Sequence, residues 1–132
     1  MGRLLRALDL TPDLVLTSTA IRGRDTARLA AEAGGWGASI VEESGFYGGT
    51  PDSVLEIASR TENADRLMLI GHEPVWSELA RRLSSHKVEM KTATVVVIET
   101  PIRDWTDLPR AKGVVVALHH PRVYFGSEWD GG

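Results

Sequence analysis

Leu67-Met68-Leu69-Ile70-Gly71-His72-Glu73-Pro74 reads as a short apolar strand that breaks at a glycine and presents a histidine just before a new helix. An unbroken apolar run of this length is the pattern of a strand covered on both faces. An earlier stretch, Leu14-Val15-Leu16-Thr17, has the same character and runs into Ser18-Thr19-Ala20-Ile21-Arg22, again a strand end followed by a helix. Strands alternating with helices predict βαβ units, hence a largely parallel sheet with helices on both faces. In such sheets ligands sit beyond the carboxyl ends of the strands. Both Arg22 and His72 fall there, and a guanidinium with an imidazole is a pair suited to gripping a phosphoryl group.

Outward from these two strands, residues 4–8 carry Leu4, Leu5 and Leu8 at helical spacing, the last turns of an amphipathic helix with no capping residue ahead of it. A strong helix is predicted over 21–33, with Leu29, Ala30 and Ala33 on its inner face and Gly34-Gly35 closing it. Residues 39–41 form a short strand, 45–50 a glycine-rich loop, and 51–59 a helix with Pro51 in its first turn and Val54, Leu55 and Ala58 inward. A helix over 74–83 and strands over 92–99 and 113–118 complete the pattern. The polar tail 126–132 is expected to fray. With no repeat and no linker, residues 1–125 read as one domain.

Composition narrows the function. Fifteen basic and 18 acidic residues, interspersed and summing to a net charge of −3, argue against a nucleic-acid surface. The absence of cysteine excludes disulfides, thiolate catalysis and cysteine zinc sites, and fits a reducing cytoplasm. No apolar run approaches the roughly 20 residues of a membrane span, and residues 1–6 are too short in apolar content for a secretory signal.

Each candidate residue has a plain reading beside the chemical one. Arg22 stands at a helix start, where free amides and the dipole favour an anion and a planar guanidinium adds bidentate contacts; by position alone, a solvated arginine like Arg24 and Arg28 is the commoner case. His72 follows a buried strand and Gly71, which lets the backbone turn and a ligand approach; it can carry charge near neutral pH or simply pack at the junction. Ser18 ends the other strand. Tyr47 either lines a pocket mouth or covers the sheet edge. Glu42 and Glu43 could include a general acid, though a solvated strand end explains them as well. His119 and His120, as strand neighbours, point to opposite faces and cannot chelate one ion; His86 reads as a loop residue. Trp76 and Trp105 read as packing residues, and Trp36 and Trp129 carry no functional argument. No metal site emerges.

Together these segments resemble the histidine phosphatase superfamily, phosphoglycerate mutase-like proteins, and within it the small SixA-type phosphohistidine phosphatases. Residues 12–27 are similar to that family's PDLVLSSPAxRAxxTA block, and 69–74 to its VGHNP block. Tyr47 before a Pro51-led helix, Lys91-Thr92-Ala93 opening a strand, and Trp105 followed by Gly113 and a closing strand to Pro121-Arg122 also match. The resemblance, over residues 3–122, implies a three-layer α/β/α sandwich with a mostly parallel sheet and one antiparallel strand. It implies phosphoryl hydrolysis through a phosphohistidine intermediate without metal or cofactor, on a phosphohistidine protein or a small phosphoester. Arg22 and His72 would be catalytic, with Ser18, Gly71 and Tyr47 beside them at the substrate.

One departure bears on chemistry. The family's defining Arg-His-Gly, whose histidine is the nucleophile, occurs nowhere in the 132 residues. The resemblance implies that the chain opens in the helix after that motif, N-terminally truncated, without the sheet's central strand. Lost strand hydrogen bonds at ~1–3 kcal/mol each, set against the ~5–15 kcal/mol of a typical domain, lead to the expectation of low stability in isolation. The expected function is therefore a SixA-type phosphatase inactive in this form. The rival reading is a non-catalytic protein that binds phosphorylated partners.

Overall fold

The computed structural model describes residues 2–85, 87, 90 and 94–119. The elements run α1 Gly2–Ala7, β1 Leu14–Ser18, α2 Ile21–Gly34, β2 Ser39–Glu43, a 3-10 turn Ser44–Phe46, α3 Pro51–Ala58, β3 Leu67–Ile70, α4 Val75–Ser84, β4 Val95–Glu99, a 3-10 segment Trp105–Arg110, and β5 Val114–His119. β1 is the middle strand of a parallel sheet ordered β2-β1-β3, with Leu16 aligned to Val41 on one side and Leu69 on the other. β4 and β5 form an antiparallel pair of their own. This is the mixed α/β class expected, with the antiparallel component as a separate ribbon. The expectations placed on His86, Lys91-Thr92-Ala93, His120, Pro121-Arg122, Trp129 and the tail 126–132 lie outside the described residues.

Strand alternation divides the core. Leu16 points into a cluster with Val54, Leu55 and Ala58 of α3, Trp76 and Leu79 of α4, and Phe46. Val15, wholly buried, points the other way, towards the side covered by α2. There the inward row is Gly23, Ala27, Ala30 and Gly34. That corrects the predicted face: Leu29 is 57% exposed, and Ala33 is exposed as well. Small residues line the contact because α1 presses its backbone onto α2, with Gly2 against the Ala30 carbonyl, and a large side chain would hold the helices apart. β3 is also less buried than a two-faced apolar strand should be. Its four residues are half-buried, since among the described residues it pairs on one edge only, with β1.

Local chemistry fixes the joints. Gly35 takes the left-handed turn (φ 62°) that ends α2. The Arg6 guanidinium donates to the Gly34 and Gly35 carbonyls at 2.9 and 3.1 Å, and the Trp36 indole donates to the Gly2 carbonyl at 3.2 Å. Thr50 and Ser53 form a reciprocal capping box ahead of α3. Asp13 ties the starts of all three parallel strands: its carboxylate accepts from the Asp65 and Arg66 amides at 2.9 and 2.8 Å, and its carbonyl accepts from Ser39 at 3.3 Å. Because the side chain is exposed, water can replace part of this. Asp13→Ala is expected to cost about 1–2 kcal/mol by urea denaturation, and Asp13→Asn, which keeps one acceptor, less.

Candidate active site

The parallel register Thr17 to Ile70 sets the carboxyl ends of β1 and β3 side by side. Ser18 ends one strand and Gly71-His72 continues the other, so that Ser18 Oγ and His72 Nε2 stand 3.1 Å apart. Thr17 and Ser18 are both fully buried. The first turn of α2 sits directly over them: a Cβ added to Gly23 would lie 2.9 Å from both the Ser18 and Thr17 hydroxyl oxygens. Ala20, the N-cap of α2, offers no side-chain hydrogen bond, leaving first-turn N–H groups without an internal acceptor. Arg22 stands in that turn, exposed. Its carbonyl accepts from Thr26 Oγ1 at 2.8 Å, while its guanidinium makes no hydrogen bond or ion pair among the described residues.

The loop that presents His72 is held by packing. An added Cβ on Gly71 would overlap the Trp76 six-membered ring, so Gly71 is a requirement of space. The Trp76 indole donates to the Leu69 carbonyl at 3.1 Å, and its ring meets Phe46 edge-on with centroids 5.5 Å apart. Tyr47, next along and 66% exposed, meets the His72 ring edge-on at 6.1 Å. Glu73 caps α4, its carboxylate accepting from the Ser77 amide at 2.8 Å and from the Ser77 hydroxyl. Ser77 Oγ in turn accepts from the Met90 amide at 2.9 Å.

The structure therefore brings Ser18, Gly71, His72 and Tyr47 together and places Arg22 at the same end of the sheet. It does not join Glu42 or Glu43 to them. Adjacent on β2, they diverge: Glu42 lies 3.7 Å from Arg24, and Glu43 lines a hollow on the opposite face with Leu14, Leu16 and Arg60. Sequence reasoning missed Gly23 and Glu73. The first carries no sequence signal beyond its adjacency to Arg22; the second was legible as an acid four residues before Ser77 at a helix start. Among the described residues no cluster of three His, Cys, Asp or Glu could hold a metal, and no helix is long and apolar enough to cross a membrane. Trp76 and Trp105 pack as expected, the latter donating to the Ala64 carbonyl at 2.6 Å.

No protein-family model matches the chain. Two uncharacterized proteins of Mycobacterium tuberculosis, from strains CDC 1551 and H37Rv, are each 32% identical over 133 residues, covering 92% of this chain and 81% of theirs. An uncharacterized chloroplastic protein of Arabidopsis thaliana is 26% identical over 117 residues, 54% of its length. Among solved structures, the one described as putative phosphohistidine phosphatase SixA from Nakamurella multipartitia superposes with a TM-score of 0.79 at 23% identity, covering 91% of this chain and 77% of that one. The protein histidine phosphatase SixA complexed with tungstate gives 0.68 at 16% identity, with 91% and 76% covered. The chain belongs to one family with the two mycobacterial proteins, and it shares the fold of the solved SixA chains.

Proposed function

We propose that the site seats a phosphoryl group and that the protein's chemistry is that of a SixA-type phosphohistidine phosphatase. The observation that supports this most is the Ser18–His72 pair, 3.1 Å apart at adjoining parallel strand ends beneath the start of α2. With Nε2 engaged by Ser18, the other ring nitrogen of His72, Nδ1, makes no hydrogen bond among the described residues and can serve an oxyanion. The α2 amides and Arg22 supply donors to the other oxygens, so positive charge meets the negative charge that grows during transfer. Attack would come from the Arg-His-Gly histidine that the resemblance implies and these 132 residues lack. Its nitrogen bonds to phosphorus as the bond to the leaving group breaks, and water then cleaves the N–P bond to release phosphate. The substrate class is phosphohistidine on a protein, or a small phosphoester.

A second reading has its own support. With no Arg-His-Gly in the chain, residues 1–132 could bind phosphorylated partners without cleaving them. Calorimetric titration with tungstate and inorganic phosphate tests what the two readings share. Arg22→Ala and His72→Ala are each expected to weaken binding about tenfold or more, near 1.4 kcal/mol, and Ser18→Ala by less. A folded chain that binds neither anion would sink both. Binding without release of phosphate from a phosphohistidine peptide is the expected behaviour of residues 1–132 under both readings. A form extended upstream through an Arg-His-Gly that still releases none would end the first.

A further inference from the structure

Among the described residues β2 is the outer strand of the parallel sheet, paired on one edge only, with β1. Residues 39–42 are all exposed, including Ile40 at 38% and Val41 at 40%. Natural sheet edges are commonly blunted by lysine, proline or a bulge. Ser39-Ile40-Val41-Glu42-Glu43 has none of these, carries its charges only at Glu42 and Glu43, and pairs regularly with β1 along its whole length. Its backbone polarity follows from one bond. The Ser39 amide donates inward to the Asp13 carbonyl, so residues 39, 41 and 43 address β1, and Ile40 and Glu42 turn their N–H and C=O groups outward.

We propose that this edge pairs with the β2 of a second copy of the chain, antiparallel about a two-fold axis through Val41, joining two three-stranded sheets into one. Full overlap of the five residues allows only that centre. It sets Ile40 opposite the second copy's Glu42, the two residues whose backbone groups point outward, as hydrogen-bonded pairs. Val41 then faces Val41 as a non-hydrogen-bonded pair, with Cα atoms about 4.5 Å apart.

The charges agree with this register. Arg24, Asp25, Arg28, Ile40 and Glu42 border one hollow. The second copy's Glu42, sharing the face of Ile40, falls beside Arg28, which also pairs with its own Asp25 at 3.3 Å, while the chain's own Glu42 keeps Arg24 at 3.7 Å. On the opposite face the second copy's Glu43 comes opposite Ser39, on the side of Arg60, which makes no ion pair among the described residues. The acidic end of each strand thus meets the basic flank of the other. The same pairing occupies Glu42 in an ion cluster and flanks the site, since Glu43 aligns with Ser18.

The chain has no cysteine, which gives a register-specific test. A Val41 pair at that spacing can be bridged by a disulfide. Under oxidised glutathione, Val41→Cys is expected to form a covalent dimer at least tenfold faster than Ile40→Cys or Leu29→Cys, both exposed. Sedimentation of the unmodified chain between about 5 and 500 µM should show mass rising from 14.4 kDa towards twice that value, and Glu42→Arg should weaken association at least tenfold. A monomer throughout the range overturns the proposal. So does crosslinking of Val41→Cys no faster than of the controls, or a dimer indifferent to Glu42→Arg, which would place the contact elsewhere.

Discussion

Gly71→Ala is expected to destabilise the chain by about 3 kcal/mol, although it adds a single methyl group at a half-buried loop position. The methyl would enter the Trp76 ring, and Trp76 is a member of the main core cluster with little room to retreat. Overpacking of this kind costs roughly 1–3 kcal/mol, and losing the Trp76–Leu69 hydrogen bond adds about 1 kcal/mol. Urea denaturation followed by circular dichroism measures the sum. The cause is separable by a double-mutant cycle: Trp76→Leu removes the obstructing ring, so the pair should be less unstable than the two single changes added together by 1 kcal/mol or more. Simple additivity would show that residue 71 and the indole do not compete for space. Because His72 follows directly, the same methyl should also pull the imidazole from Ser18 and weaken anion binding.

The strands and helices were legible because their patterns are strong and local. The runs at 14–16 and 67–70, the Gly34-Gly35 stop and the Pro51 start each name an element through backbone chemistry that tertiary packing did not override. The inner face of α2 was misread because the prediction weighed hydrophobicity alone. Leu29 and Ile21 are the largest apolar side chains in that helix and both are exposed, whereas the interface selects Gly23, Ala27, Ala30 and Gly34 for closeness of approach. Burial of β3 was overestimated for a related reason: an apolar run says that a strand can be covered, and only the sheet order says which edges are.

At the site, the sequence could place Ser18, Arg22 and His72 at strand ends, since topology alone decides that. It could not show that Ser18 reaches His72, because a contact between residues 54 apart depends on the register of β1 against β3. Gly23 was invisible for the same reason. The resembling block carries Ala there, whereas here a Cβ would stand 2.9 Å from two hydroxyl oxygens; the tightness exists only once α2 is laid over the end of β1. Glu42 and Glu43 show the converse limit. Composition offered two carboxylates near a strand end, and strand alternation sends them to opposite faces, one towards Arg24 and one towards the hollow beside Arg60.

Phe46→Ala is expected to cost about 3–5 kcal/mol, the range for removing a buried aromatic ring. Phe46 is 2% exposed and is held edge-on against Trp76, so both loops at the site depend on the same pair of rings: the turn at 44–46 through Phe46, and the Gly71-His72 bend through Trp76. Burying Phe46 inward is what leaves Tyr47 outward, over the His72 ring. Phe46→Leu, which keeps most of the volume, should cost only about 1–1.5 kcal/mol while changing where Tyr47 sits. The His72 ring-proton chemical shifts report this directly, since the Tyr47 ring current falls on them. Tyr47→Ala, at an exposed position, should move those shifts with less than about 0.5 kcal/mol of stability lost. Phe46→Leu should move them too, at its larger cost. If the shifts follow Tyr47→Ala but ignore Phe46→Leu, the tyrosine is placed by its own loop, and the coupling of core to site through Phe46 is wrong.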